Sequence, residues 1–297
     1  MTYTNSQFLL SAQDLQQRLV NEDLRLFDVT VFMRPQKKGM VVESGAKIYA
    51  DGHIPGAACI DQLTELSVAD APFRFTLPPV EQLTSAFAAA GIGAHHNVVF
   101  YSSGHLMWAT RAWWLLRYCG HDRVALLDGG LAAWQAAGFE MEQSENCYAP
   151  DVLNIQARSQ MFVDSQSMAA AGEQGSHLTV NALPANIHIG TIPMNAGRTG
   201  HIPGSCNLPC GALLRQVGDV EPKVECFSHA AELEQTLQDA DLLGDVPVIT
   251  YCGGGIAATV DAFACALMGK TDVAVYDGSM AEWASDPARP LVTGSCR

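Results

Sequence analysis

Short apolar runs alternate with amphipathic or alanine-rich stretches along the whole chain. Leu24 to Val29, Asn97 to Tyr101, Val124 to Leu127 and Val246 to Thr250 are apolar and partly β-branched, and they read as buried strands. Helical patterns lie between them. Ser11 followed by Ala-Gln-Asp-Leu-Gln-Gln-Arg-Leu-Val reads as an N-cap and a short amphipathic helix. Pro79 opens a helix to Ala90 that Gly91 stops. Thr110 to Tyr118 is a helix with Trp113, Trp114, Leu115 and Leu116 packed into it, and Leu131 to Ala137 is another. The stretch from Met33 to Asp51, with Lys37 and Lys38, reads as a surface excursion.

The second half repeats the first. Gly52-His53-Ile54-Pro55-Gly56 returns as Gly200-His201-Ile202-Pro203-Gly204. Val98-Val99-Phe100-Tyr101-Ser102 returns as Val248-Ile249-Thr250-Tyr251-Cys252, and Asp128-Gly129-Gly130 with Trp134 returns as Asp277-Gly278-Ser279 with Trp283. The near-constant offset implies a duplicated domain, each copy an α/β unit with a mainly parallel sheet covered by helices on both faces. The boundaries read as 1–142 for the first copy, 143–160 for a polar linker and 161–297 for the second copy.

Aligning the copies sets Ser102 opposite Cys252, so only the second keeps a soft nucleophile. Cys252 lies on a tight turn between a strand and an alanine-rich helix from Ala257 to Met268. Gly253, Gly254 and Gly255 let the backbone curl and aim successive N–H groups at one point. The first amides of the helix, at Ile256, Ala257 and Ala258, add to that ring, as does the helix dipole. An anion at the sulfur is favoured there, and the thiol pKa is expected to fall. Ser102 has no Gly-x-Ser-x-Gly context to activate it, so the first loop reads as silent. His53, His201, Asp128, Asp277, Trp134 and Trp283 occur in both copies and read as structural.

Composition narrows the function. A net charge of −14 argues against nucleic acid or an anionic membrane as partner. No apolar stretch is long enough for a membrane span, and no signal peptide is evident. Nine cysteines without a Cys-x-x-Cys pair suggest reduced thiols and a cytoplasmic protein. Cys206 and Cys210 lack the companions of a zinc site and read as ordinary thiols. No metal or organic cofactor is called for.

The two Gly-His-Ile-Pro-Gly turns, Leu-Leu-Asp-Gly-Gly-Leu at 126–131, Tyr-Asp-Gly-Ser-Met-Ala-Glu-Trp at 276–283 and the cysteine loop resemble the tandem rhodanese-type sulfurtransferases, the thiosulfate and 3-mercaptopyruvate group. The resemblance covers nearly the whole chain and implies two tandem rhodanese-like domains. It also implies a silent N-terminal domain with Ser102 and a C-terminal Cys252 that carries a persulfide between a small sulfur donor and a thiol acceptor. A protein persulfide is among the partners it allows. The related phosphatases place an Arg after Cys and five residues, and position 258 is Ala.

Several positions depart from the family pattern. The loop has Gly254 where relatives have Ser or Lys, and Ala257 where they have Thr. The Asp-x-Arg whose Arg binds anionic substrate is Asn181-Ala182-Leu183, and basic positions downstream are Ile187 and Ile189. The first domain's Asp-x-Asp is Asp61-Gln62-Leu63. Arg198 is the nearby cation left for the pocket rim, and Leu183 stands at a candidate substrate position. These losses point to a donor less charged than thiosulfate. They also keep open a rival reading, a non-catalytic rhodanese-like binding or regulatory module, against which the retained cysteine loop argues.

Overall fold

The computed structural model describes residues 2–36, 40–154, 156–194, 197–218 and 223–295. The first half holds β1 (Leu9–Leu10), α1 (Ala12–Arg18), β2 (Leu24–Asp28), β3 (Val31–Pro35), β4 (Met40–Ser44), α2 (Ala46–Asp51), β5 (Ala58–Cys59), α3 (Val80–Ala89), β6 (Asn97–Tyr101), α4 (Met107–Tyr118), β7 (Val124–Leu127) and α5 (Gly130–Ala136). The second half holds β8 (Phe162–Val163), α6 (Ser165–Gln174), β9 (Leu178–Asn181), α7 (Ala185–His188), β10 (Cys206–Asn207), β11 (Leu214–Val217), β12 (Val224–Phe227), α8 (Ala230–Asp239), β13 (Val248–Tyr251), α9 (Ala258–Leu267), β14 (Val273–Tyr276) and α10 (Ser279–Trp283).

Each half builds a five-stranded, all-parallel sheet, in the orders β1-β7-β6-β2-β5 and β8-β14-β13-β9-β10. The two lists correspond strand for strand, which is the structural form of the sequence repeat. Alternate strand residues face opposite layers, as the pleat requires. Val98 and Phe100 of β6 join the core with α3 and α4, while Val99 and Tyr101 pack with Leu15 of α1 and Trp134 of α5. Ser11 caps α1 reciprocally with Asp14.

The excursion after Met33 differs from expectation. It is an antiparallel hairpin, β3 with β4, followed by α2. Its strands are edge-like and half-exposed, so their apolar signal is diluted. Lys37 and Lys38 lie outside the described residues. A second hairpin, β11 with β12, sits in the other half.

The repeated turns are structural. His53 and His201 are buried, and each ring donates from Nδ1 to a carbonyl at 2.8 Å, that of Tyr49 and that of His188. Each stacks flat on a neighbour, Tyr49 or His188. The indoles of Trp134 and Trp283 donate to the carbonyls of Glu140 and Pro290, closing the ends of α5 and α10. Among the described residues no helix is long and apolar enough to cross a membrane.

The halves pack through α4 and α9, with Thr110 and Thr259 hydroxyls 2.7 Å apart and Trp113 edge-on to Phe263. On either side of this pair the contacts are reciprocal. Asp128 accepts the Phe227 N–H from the second half at 2.9 Å, and Asp277 accepts the Leu77 N–H from the first at 2.8 Å. Burial pushes the Asp128 carboxyl up to about 6. A folded-state value above the unfolded 3.8 means that the fold binds the extra proton, so the contribution is favourable in acid and is lost as pH rises between about 4 and 6. Asp128→Asn keeps the acceptor for Phe227 without the charge. Urea denaturation at pH 4 and pH 7 is expected to show the variant gaining on the native protein by roughly 2–3 kcal/mol over that interval. Parallel curves for the two proteins would contradict this.

Candidate active site

β13 ends at Tyr251, and Cys252 opens the turn into α9 at the carboxyl edge of the sheet, where α/β folds place ligands. Its side chain is 2% exposed, while Gly253, Gly254 and Ala257 are only partly covered. The turn is pinned from below by Ser279. That hydroxyl accepts the N–H groups of Cys252 and Gly255, each at 3.1 Å, and donates to the Tyr276 carbonyl at 2.7 Å. Ser279 sits at φ +49°, an uncommon conformation for a residue with a Cβ. Gly130 holds the equivalent place in the first copy at φ +53°.

The carbonyls of the turn are also taken. Cys252 O accepts from Met280 N at 3.0 Å, Gly253 O from Ala281 N at 2.8 Å, Gly255 O from Arg111 Nη1 at 3.2 Å and Ile256 O from Thr259 N at 2.9 Å. The N–H and C=O of one trans peptide point in opposite directions. Pinning these four carbonyls therefore turns the amides of Gly253, Gly254, Ile256 and Ala257 the other way. Among the described residues, those four amides and that of Ala258 have no protein acceptor. No side chain caps the start of α9.

The Ser102 turn of the first copy is closed by contrast. Ser103 N donates to Thr30 Oγ1 at 2.7 Å, Gly104 N to Ser102 Oγ at 3.0 Å, Leu106 N to Glu225 Oε1 at 3.3 Å and Met107 N to His105 Nδ1 at 3.1 Å. Asp28 holds Thr30 and Ser103 in place.

The first half also covers the second turn. Ile256 is buried with Val31, Phe75 and Trp108. The Arg74 carbonyl lies 3.9 Å from where Gly254 would carry a Cβ. A Cβ on Gly255, at φ +75°, would sit 2.6 Å from the Asp277 carbonyl, and one on Gly253 would overlap Met194. Gly255 is therefore sterically required, whereas at Gly253 only the flexible end of Met194 stands in the way and at Gly254 there is room for a Cβ.

The other expected positions are dispersed. Ala182 N donates to Tyr251 O at 2.8 Å, so Leu183 lies one strand over from Cys252, buried, with its N–H on Asn181 Oδ1. Ile187 is half-buried against the core. Arg198 donates to the carbonyls of Ala284, Asp286 and Arg289. Cys206 and Cys210 are half-buried, and burial raises the Cys210 thiol. The metal-capable trio among the described residues is His95, His96 and Asp151, at the opposite end of β6 from Ser102, where His96 Nδ1 already accepts from Gly93 N. Sequence reading missed Arg111, Phe75 and Met194, and took Ser279 only as part of a turn.

A rhodanese-like domain model matches residues 11–137 and 195–286. A Pseudomonas aeruginosa protein named as a probable 3-mercaptopyruvate sulfurtransferase is 33% identical over 96% of this chain and 98% of its own length. The 3-mercaptopyruvate sulfurtransferase of Escherichia coli K12 is 28% identical over 96% of this chain and 97% of its own. The crystal structure of SseA from Escherichia coli superposes with a TM-score of 0.79 at 27% identity, covering 92% of this chain and 98% of that one. With the domain model matched in both halves and a full-length relative at this identity, the chain belongs to the tandem rhodanese-type sulfurtransferases.

Proposed function

We propose that Cys252 is the sulfur carrier of this enzyme. As a thiolate it attacks the sulfane sulfur of a donor. The Sγ–S bond forms as the donor's bond to that sulfur breaks, and the donor leaves with the electron pair. An acceptor thiolate then attacks the outer sulfur, and Cys252 recovers its pair. The five unpaired amides of Gly253, Gly254, Ile256, Ala257 and Ala258 are the observation that carries this reading. They would hold the terminal sulfur anion as an oxyanion hole holds oxygen. The closed amides around Ser102 support reading the first copy as silent, and the open ones argue against a non-catalytic module. Eight free cysteines among the described residues suit a reducing, cytoplasmic setting.

The relatives' names point to 3-mercaptopyruvate as a donor. We assign this chain a donor of lower charge, including a persulfide on an apolar carrier or on a protein. Leu183 replaces the expected cation and is buried, and Arg198 is committed to three carbonyls. Each missing charge-assisted bond would cost roughly 1.5–3 kcal/mol of donor affinity.

Mass spectrometry after donor treatment is expected to show one added sulfur atom on the Cys252 peptide and none in Cys252→Ser. Sulfur retained by that variant on another cysteine would remove Cys252 from the role. Rates with thiosulfate, mercaptopyruvate and an apolar persulfide are expected to favour the last by about tenfold or more in kcat/KM. Efficient use of thiosulfate at micromolar KM would refute the low-charge assignment and turn attention to exposed Arg74. Ser279→Ala leaves two buried amides unpaired, so it should cost about 2–3 kcal/mol in urea denaturation and slow sulfur loading. An unchanged midpoint would show the hydroxyl to be dispensable.

A further inference from the structure

Arg111 belongs to the half without a nucleophile, on the face of α4 that meets α9. Its side chain is 2% exposed. A buried guanidinium is tolerated only where its donors are matched. Here Nη2 reaches Asp277 Oδ1 at 2.7 Å and Phe75 O at 3.0 Å, Nη1 reaches Gly255 O at 3.2 Å, and the guanidinium carbon lies 5.2 Å from the Phe162 ring centre. One planar group thus joins three segments: the 72–77 strap of the first half, the Asp277 turn and the Cys252 turn.

The geometry gives this contact a direction. Gly255 is the left-handed corner of the cysteine turn and has no Cβ to restrict rotation of its peptide planes. Its N–H is fixed by Ser279 and its C=O by Arg111. That carbonyl shares a peptide plane with the Ile256 N–H, one of the unpaired amides. Holding the oxygen toward Arg111 points the Ile256 N–H away from it. Phe75, whose carbonyl takes the second Arg111 bond, also lines the pocket that receives the Ile256 side chain. The device is one-sided. Counted from the aligned Ser102 and Cys252, the counterpart of Arg111 is Asp261, which is buried and whose carboxylate oxygens make no hydrogen bond to the Ser102 turn or to anything else among the described residues.

We infer that Arg111 is a positioning residue through which the N-terminal domain holds the Cys252 turn in the shape that keeps its amides open. The inference rests on Cys252 being the sulfur carrier. Its test compares full-length Arg111→Met, Arg111→Lys and Thr110→Val, the last weakening the same interface without touching Arg111 or the Gly255 corner. Three readouts are needed: thermal unfolding, kcat and KM for sulfur transfer, and the pH profile of Cys252 alkylation by iodoacetamide. At a temperature where all are folded, Arg111→Met is expected to lower kcat roughly ten- to hundredfold, as small misplacements at a reacting centre do, with KM little changed. Its alkylation profile should move to higher pH. Arg111→Lys, a point charge without the planar fork, should recover stability more than kcat. Thr110→Val should lose stability while its profile stays in place. The inference is overturned if the Arg111 variants match Thr110→Val in profile and in turnover per folded molecule. Where Arg111→Met does not fold, Arg111→Lys is judged by the same comparison. Sulfur loading that survives Cys252→Ser would defeat the carrier assignment, whereas loading on Cys252 with Arg111 variants unaltered would defeat only this inference.

Discussion

A turn that binds an anion through its backbone must fold without using its own amides. An N–H left without a partner in a buried site costs about 1–3 kcal/mol, and the turn after Cys252 leaves five without a protein acceptor, those of Ile256 and Ala258 on buried residues. Nothing local repays this, so the stabilisation comes from outside the turn. Ser279 and the start of α10 take the first amides and carbonyls, Ile256 is buried in an apolar pocket, and Arg111 fixes the corner. Two residues that carry side chains, Ser279 at φ +49° and Phe75 at φ +62°, are held in the left-handed region around the same turn. Strain at such positions persists only where the surroundings over-determine it.

The two copies show what this constraint does to one architecture. Sheet order, the His turns, the Trp anchors and the reciprocal Asp128 and Asp277 contacts are shared. Around Ser102, side chains from Thr30, His105 and Glu225 take the amides of Ser103, Met107 and Leu106, three of those whose counterparts stay open at Cys252. Around Cys252, Ser279 takes the amides of Cys252 and Gly255, and among the described residues no other side chain takes one. The difference lies less in the nucleophile than in whether polar side chains stand at the mouth of the turn.

Much of this is local and therefore legible in the sequence. The period-2 strands, the triple glycine after a lone cysteine and the doubled turns all report short-range geometry. His53 and His201 read as structural because they recur in the copy that has no cysteine. The β3–β4 hairpin is not legible, because apart from buried Val31 its strands are half-exposed and carry little hydrophobic signal. Arg111 was invisible for another reason. It is 144 residues from Gly255, and only the packing of α4 on α9 brings the two together. Ser279 did leave a trace, a serine where the first copy needs Gly130, but the trace has meaning only once both backbones are known to be left-handed.

The charge pattern of the site follows from the same arrangement. Asp277 lies 2.7 Å from Arg111, so the clamp brings no net positive charge to the turn. Arg198 is spent on carbonyls, and the chain as a whole carries −14. What remains to favour an anion at Cys252 is dipolar: oriented amides and the uncapped start of α9. Dipolar attraction decays faster with distance than the attraction of a full charge. It serves one atom seated in the ring of amides and does little for a carboxylate or sulfonate a few ångströms beyond, where the negative field of the protein, screened over about 8 Å, is felt. An enzyme built this way stabilises the sulfur it accepts, and its backbone gives almost nothing to a second anionic group on the donor.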